Sequence, residues 1–310
     1  MKVIAITPHQ KHDYLASTII EGLYDLNIKV IASDKGNGVK KVYTEEEIIK
    51  ESKNSNYILA FWSKKINPAP QYHLLKKINL PHKTAYIDGS EWTATGYYDT
   101  PLQHIEALRN PSRRKGNPWI NEEMLQYAQW YFKRECFPED KERGIIPLPF
   151  GAVKEYFHKP VNKKCDFLCA FGQTYTGLRA SVQRISKDYK KTNKKIDIGP
   201  FEMNLYKQKL SESIIIADAW GSGECNARFF EAVANEVCVI HQKNNIIIPF
   251  KYEDGITSIE FTNIEEFKSK LDYYLNNIEE AKKIGQNAYI HTLKYHTSQE
   301  RVKYMMEMMQ

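Results

Sequence analysis

The sequence predicts an α/β protein made of two Rossmann-like domains that face each other across a cleft. Three observations carry that expectation. At 310 residues the chain exceeds the length at which a single hydrophobic core usually stops growing. Apolar β-type runs alternate with helix-type runs in the first half, and the alternation restarts in the second, as in parallel sheets covered by helices. Hydrophobic residues are 42% and charged residues 26% of the chain, ordinary globular usage that fills two cores. The expected domains are residues 1–155 and 156–310, with the last helix packing back on the first.

In chain order, strands are expected at Lys2 to Thr7, Lys29 to Ala32, Tyr57 to Trp62 and Lys83 to Ile87. Asp13 is placed to cap a helix to Leu26, whose Leu15, Ile19, Leu23 and Leu26 share one face. Gly89 to Pro118 reads as loop, Asn121 to Arg134 as helix and Ile145 to Leu148 as a short apolar run, with the linker near 151–163. The second half supplies strands at Asp166 to Phe171, Ser213 to Ala217 and Val237 to His241. Its helices run from Leu178 to Lys191 and from Asn226 to Asn235. Helices from Ile264 to Asn277 and from Ile278 to Tyr289 follow, then a last one capped by Thr297 or Ser298.

Composition narrows the function classes. The start lacks the features of a signal peptide and no run is long enough to span a membrane. The five cysteines are an odd number, which favours reduced thiols, so the expected location is the cytoplasm. Cys165 and Cys169 lie in a strand-like run without a His or Cys cluster, and no metal site is expected. The net charge of +6 suits anionic partners and equally suits solvated lysine-rich faces. No GxGxxG or GxxxxGKS element occurs, which disfavours a dinucleotide dehydrogenase or a P-loop NTPase.

The informative segment is Ala219 to Ile240, a glycine-containing loop between a strand and a short helix. Gly221 and Gly223 allow the backbone close to a ligand. The helix N-terminus that begins at Asn226 suits a diphosphate, and Arg228 adds a planar donor fork. Glu231 shares the face of Arg228 and offers a carboxylate for two ribose hydroxyls; alternatively the two are an exposed i,i+3 ion pair. Gly172, Gln173 and Arg179, after the domain's first strand, are placed to reach the diphosphate from the other side. In the first half, His9 and Asp88 end strands that open on the cleft and are candidate catalytic groups. His12, Asp13, Glu91 and Trp92 are candidate acceptor-side residues; Asp13 also reads as a helix cap and Asp88 as a turn-former.

The run Asn226-Ala227-Arg228-Phe229-Phe230-Glu231-Ala232, with Phe261 and Glu265-Glu266 downstream, resembles the CgeB-like group of family-1-type glycosyltransferases. Supporting matches are Phe171-Gly172-Gln173-Thr174, Phe132-Lys133-Arg134-Glu135, Pro147-Leu148-Pro149-Phe150-Gly151 and His296-Thr297. The likeness is good from about residue 130 onward. It implies the GT-B fold, a nucleoside diphosphate sugar donor bound by the second half, an acceptor docked on the first, and no cofactor or required metal. Two departures stand out. Glu224 and Glu231 are separated by six residues rather than the family's usual seven, and Ala234-Asn235-Glu236 replaces a glycine-containing turn. The anomeric outcome is thereby open, with retention implied by the resemblance alone. A nucleic-acid acceptor, suggested by the basic run Arg109 to Lys115 beside Trp92, Tyr97, Tyr98 and Trp119, and a binding protein without turnover are the competing readings.

Overall fold

The structure is a computed structural model and describes residues 1–7, 12–62, 70–90, 120–157, 161–172, 178–221 and 223–310. The first half holds β1 Lys2–Ile6, α1 Tyr14–Asp25, β2 Lys29–Ala32, α2 Glu45–Ser52, β3 Tyr57–Phe61 and α3 Pro70–Ile78. It continues with β4 Thr84–Asp88, α4 Glu122–Tyr127, β5 Trp130–Lys133, α5 Pro138–Glu142 and β6 Ile146–Pro147. The second half holds β7 Cys165–Cys169, α6 Leu178–Tyr189, β8 Ile196–Ile198, α7 Met203–Ser211, β9 Ser213–Asp218 and α8 Ala227–Val233. It ends with β10 Cys238–Gln242, β11 Ile259–Phe261, α9 Ile264–Asn276, α10 Ile278–Tyr295 and α11 Ser298–Met308.

Two parallel sheets result, in the orders β2-β1-β3-β4-β5-β6 and β11-β10-β9-β7-β8. Alternate residues of each strand point to opposite faces. Val3 and Ala5 pack with Leu15, Ile19 and Leu23 of α1, whereas Ile4 and Ile6 pack with Ile48 of α2, Leu75 of α3 and Met124 of α4. In the second sheet Ile216 and Val239 meet Phe230 and Val233 of α8, while Phe167 and Ile240 meet Phe267 and Leu271 of α9. The apolar cluster on the α1 face of the first sheet continues into the α8 face of the second. Each sheet reverses its winding once, between β1 and β3 and between β7 and β9, where a ligand crevice opens at the strand ends.

Residues 121–134 are not one helix. α4 ends at Tyr127, and Trp130–Lys133 pairs with β4, because three successive aromatics fill a buried strand better than a helix surface. The short strands β8 and β11 and the helices α2, α3, α5 and α7 go beyond the sequence reading. α2 carries a clear N-terminal signal, a capping box between Thr44 and Glu47.

The halves are joined twice. The chain leaves the first half through Ala152 and returns at Thr297, and the two crossings pair: the Ala152 amide donates to the His296 carbonyl (2.7 Å) and the Ser298 amide to the Ala152 carbonyl (3.2 Å). α11 then packs on α1, with Gly22 against Ser298 and Val302.

His296 is buried at this junction. Its Nε2 bonds the Phe250 carbonyl at 2.9 Å and its Nδ1 the Arg301 guanidinium at 2.6 Å, which fixes a neutral ring protonated on Nε2. Burial first, then the Arg301 charge, push its pKa well below the usual value. The unfolded chain therefore takes up the proton first. This contribution to stability is whole above about pH 6.5 and declines by about 1.4 kcal/mol per pH unit as the pH falls toward the folded value. The burial-raised carboxyl of Glu231 runs the opposite way, so the readout is a comparison. Urea unfolding at pH 7.5 and 5.5 is expected to show a smaller acid loss in His296→Gln than in the wild type.

Candidate functional site

The crevice between β7 and β9 brings two arginines onto one aromatic ring. Phe171 follows β7, and the guanidinium carbons of Arg179 and Arg228 lie 5.0 and 4.9 Å from its ring centroid. Arg179 opens α6 and reaches across to β9, where its Nε and Nη2 bond the Ala219 carbonyl at 3.2 and 2.6 Å. Arg228, in the first turn of α8, donates from Nη1 to Asp218 Oδ1 at 3.0 Å. Its Nε is buried with no hydrogen-bond partner among the described residues. Burial opposes the Arg228 charge, and Asp218, Tyr206 and Glu231 together more than restore it. Two guanidinium groups thus stand side by side over one ring, a pair of planar donor forks suited to phosphate oxygens.

Two of the glycines are crowded, though by protein neighbours. A Cβ on Gly221 would lie 2.7 Å from Arg179 Nη2, and one on Gly223 would lie 2.6 Å from Glu135 Oε1. Gly172 faces open space. Asn226 is the N-cap of α8 without capping it; its amide donates to Asp218 and to the Ala219 carbonyl. The amides of Glu224 and Cys225, just ahead of α8, are taken by the Glu135 carboxylate.

Glu231 and Arg228 do not form the exposed ion pair. Both are largely buried and turn to different partners: Glu231 Oε2 accepts from the Tyr206 hydroxyl at 2.6 Å. Burial raises the Glu231 pKa, against hydrogen bonds from Tyr206 and Tyr156. Glu224 holds the loop after β10, accepting from the Asn245 amide at 2.5 Å and the Ile246 amide at 3.3 Å. In the altered turn Glu236 takes φ 54°, the left-handed conformation that glycine adopts at least cost. Asn235 bonds the Tyr156 and Glu231 carbonyls at 2.8 Å each.

Under α8 lies a cavity of about 140 Å³ lined by Asp218, Asn226, Phe229, His241, Tyr252 and Glu260, among others. Asp218, His241 and Glu260 are cross-strand neighbours on β9, β10 and β11. Burial pulls the His241 pKa down, against the nearby carboxylates of Asp218 and Glu260. Among the described residues no cluster of His, Cys, Asp or Glu is arranged to hold a metal ion, and no helix is long and apolar enough to cross a membrane. All five cysteines are buried free thiols.

In the first half Asp88 ends β4 but is buried. Its carboxylate accepts from Tyr131 Oη (2.5 Å), Lys133 Nζ (3.1 Å) and the Ser90 amide (2.8 Å). Asp13 is turned inward as the α1 cap, accepting from the Ala16 amide at 2.8 Å, and packs against Gly89. Exposed His12 lies 3.3 Å from the Ser17 hydroxyl. His9, Glu91, Trp92 and Gln173 lie outside the described residues. Asp218, the Phe171 ring and Glu135 are the participants that sequence reasoning did not assign. An acidic residue at the end of a buried strand was the available signal for Asp218.

Residues 159–307 match the family described as Glycosyl transferase-like. The fold is similar to that of HepE from Anabaena, solved with UDP and glucose, at a TM-score of 0.62 and 10% identity, covering 99% of this chain and 98% of that one. A glycosyltransferase from Rickettsia africae gives 0.62 and 13%, covering 99% and 97%. An α-glucosyltransferase solved with UDP-glucose and DNA containing an abasic site gives 0.60 and 10%, covering 100% and 99%. No curated protein matches the chain in sequence. Two parallel sheets and the likeness to these structures show a GT-B fold, and within it residues 159–307 are similar to the glycosyl transferase-like family.

Proposed function

We propose that the protein transfers a sugar from a nucleoside diphosphate sugar, with Arg228 and Arg179 holding the diphosphate. The observation that supports this is the pair of guanidinium groups over Phe171 at the β7–β9 reversal, balanced by Asp218. Paired guanidinium groups offer a diphosphate charge-assisted donors, and the departing phosphate is the group whose charge grows during transfer. Gly172 belongs to the near rim of this site, Gly221, Gly223 and Asn226 to the far rim, and no metal is required by the scheme. HepE and the α-glucosyltransferase of the same fold were solved with uridine nucleotides, which makes UDP the first ligand to try. The first half takes the acceptor: a glycan, a small molecule or DNA, with which the α-glucosyltransferase of the same fold was solved.

Glu231 is proposed to accept from the ribose, exchanging the Tyr206 hydroxyl for the sugar's. Glu231→Gln is expected to lose about 1.5–3 kcal/mol of affinity for UDP and uridine alike, the range for hydrogen bonds to a charged group. Calorimetric titration checks this, with circular dichroism to show that the variant is folded. An unchanged uridine affinity would remove Glu231 from the site.

A further inference from the structure

The chain leaving β5 does not stop at the edge of its own sheet. It carries Glu135 into the other half, where the side chain is wholly buried. Glu135 Oε2 accepts from the Glu224 amide at 2.9 Å, and Oε1 accepts from the Cys225 amide at 3.1 Å and from Arg134 Nε at 3.2 Å. The next carbonyl, Cys136, accepts from the Ile247 amide at 2.7 Å. Two adjacent residues of the first half thus grip both loops of the second: the one between β9 and α8, and the one after β10. Glu224 ties those loops together through Asn245 and Ile246.

The gripped amides directly precede Asn226 and α8. Asn226 holds Asp218, which in turn holds Arg228. A carboxylate bonded to two consecutive amides makes charge-assisted contacts whose geometry fixes both peptide planes. At position 223 a side chain would meet Glu135 Oε1 at 2.6 Å and force the carboxylate to shift.

We propose that Glu135 is a positioning residue for the donor site: from the opposite half it sets the Glu224–Cys225 backbone that leads into α8, and through it aims Arg228 at the diphosphate. The role deepens the proposed donor site and rests on it. A residue that only glued the halves together would alter stability and leave ligand selectivity alone. A positioning residue acts through Arg228, so its loss weakens UDP much more than uridine.

The test uses the full chain with Glu135→Ala and Glu135→Gln, titrated calorimetrically with UDP and with uridine, with and without formate. Glu135→Ala is expected to bind UDP at least tenfold more weakly while uridine changes less than twofold. Formate, a free carboxylate of the right size, is expected to recover part of the UDP affinity. Glu135→Gln, which keeps one acceptor oxygen, is expected to fall between and carries the test if the alanine variant does not fold. A folded variant that binds UDP like the wild type overturns the role, as does an equal loss for UDP and uridine without recovery in formate. Wild-type protein that binds no nucleoside diphosphate overturns the donor site itself, and this role with it.

Discussion

Arg228→Ala is expected to weaken UDP binding by about 100-fold or more while leaving uridine nearly untouched. Two effects add. The variant loses charge-assisted donors to phosphate, worth about 1.5–3 kcal/mol. It also leaves the Asp218 carboxylate, whose side chain is 5% exposed, without its partner and facing the incoming anion. Breaking a buried ion pair by removing one member costs about 3–5 kcal/mol, so stability falls too. A second change separates the two: adding Asp218→Asn to Arg228→Ala removes the stranded charge and is expected to recover most of the stability but not the full UDP affinity. Calorimetry and urea unfolding on the single and double variants read both quantities. If Arg228→Ala folds and binds UDP as the wild type does, the paired-arginine crevice is not a phosphate site.

Gly22→Ala is expected to destabilise the protein by about 3 kcal/mol, against the sign of its helix propensity. In an unpacked helix the change from glycine to alanine stabilises by about 1 kcal/mol. Here the new Cβ would sit 2.1 Å from the Ser298 carbonyl oxygen and 2.7 Å from Val302 Cγ2. The first obstacle is backbone and cannot swing aside, so α1 and α11 must separate, at a cost of about 1–3 kcal/mol or more for overpacking. Urea unfolding decides the sign. A stabilised variant would mean that α11 does not lie on α1.

Much of the architecture was legible because it is local. The apolar runs of β1, β2, β3, β4, β7, β9 and β10 were found within a residue or two, and Asp13 and Thr297 cap helices as their sequence context suggests. β5 was hidden because Met124, Leu125, Tyr127 and Phe132 also fit a helical stripe; only pairing with β4 settles the matter. β8 and β11 are three residues each, too short for a period to show. In the site, the short segments were legible and their partners were not. Arg228 and Glu231 are three residues apart and invite pairing, yet the sheet supplies Asp218 to one and α7 supplies Tyr206 to the other. Gly223 was noticed for its backbone freedom, but the neighbour that crowds it, Glu135, is 89 residues upstream of the amide it binds at Glu224.

The paired crossings at Ala152 and His296–Ser298 act as a pin joint. Sliding one half past the other would shear both hydrogen bonds of the pair, whereas swinging about the line they define leaves them whole. The Glu135 contacts with the Glu224 and Cys225 amides and the Cys136–Ile247 bond lie away from that line and oppose the swing as well. With the joint holding the halves at a high effective concentration of each other, each contact across them forms as an intramolecular event instead of a search.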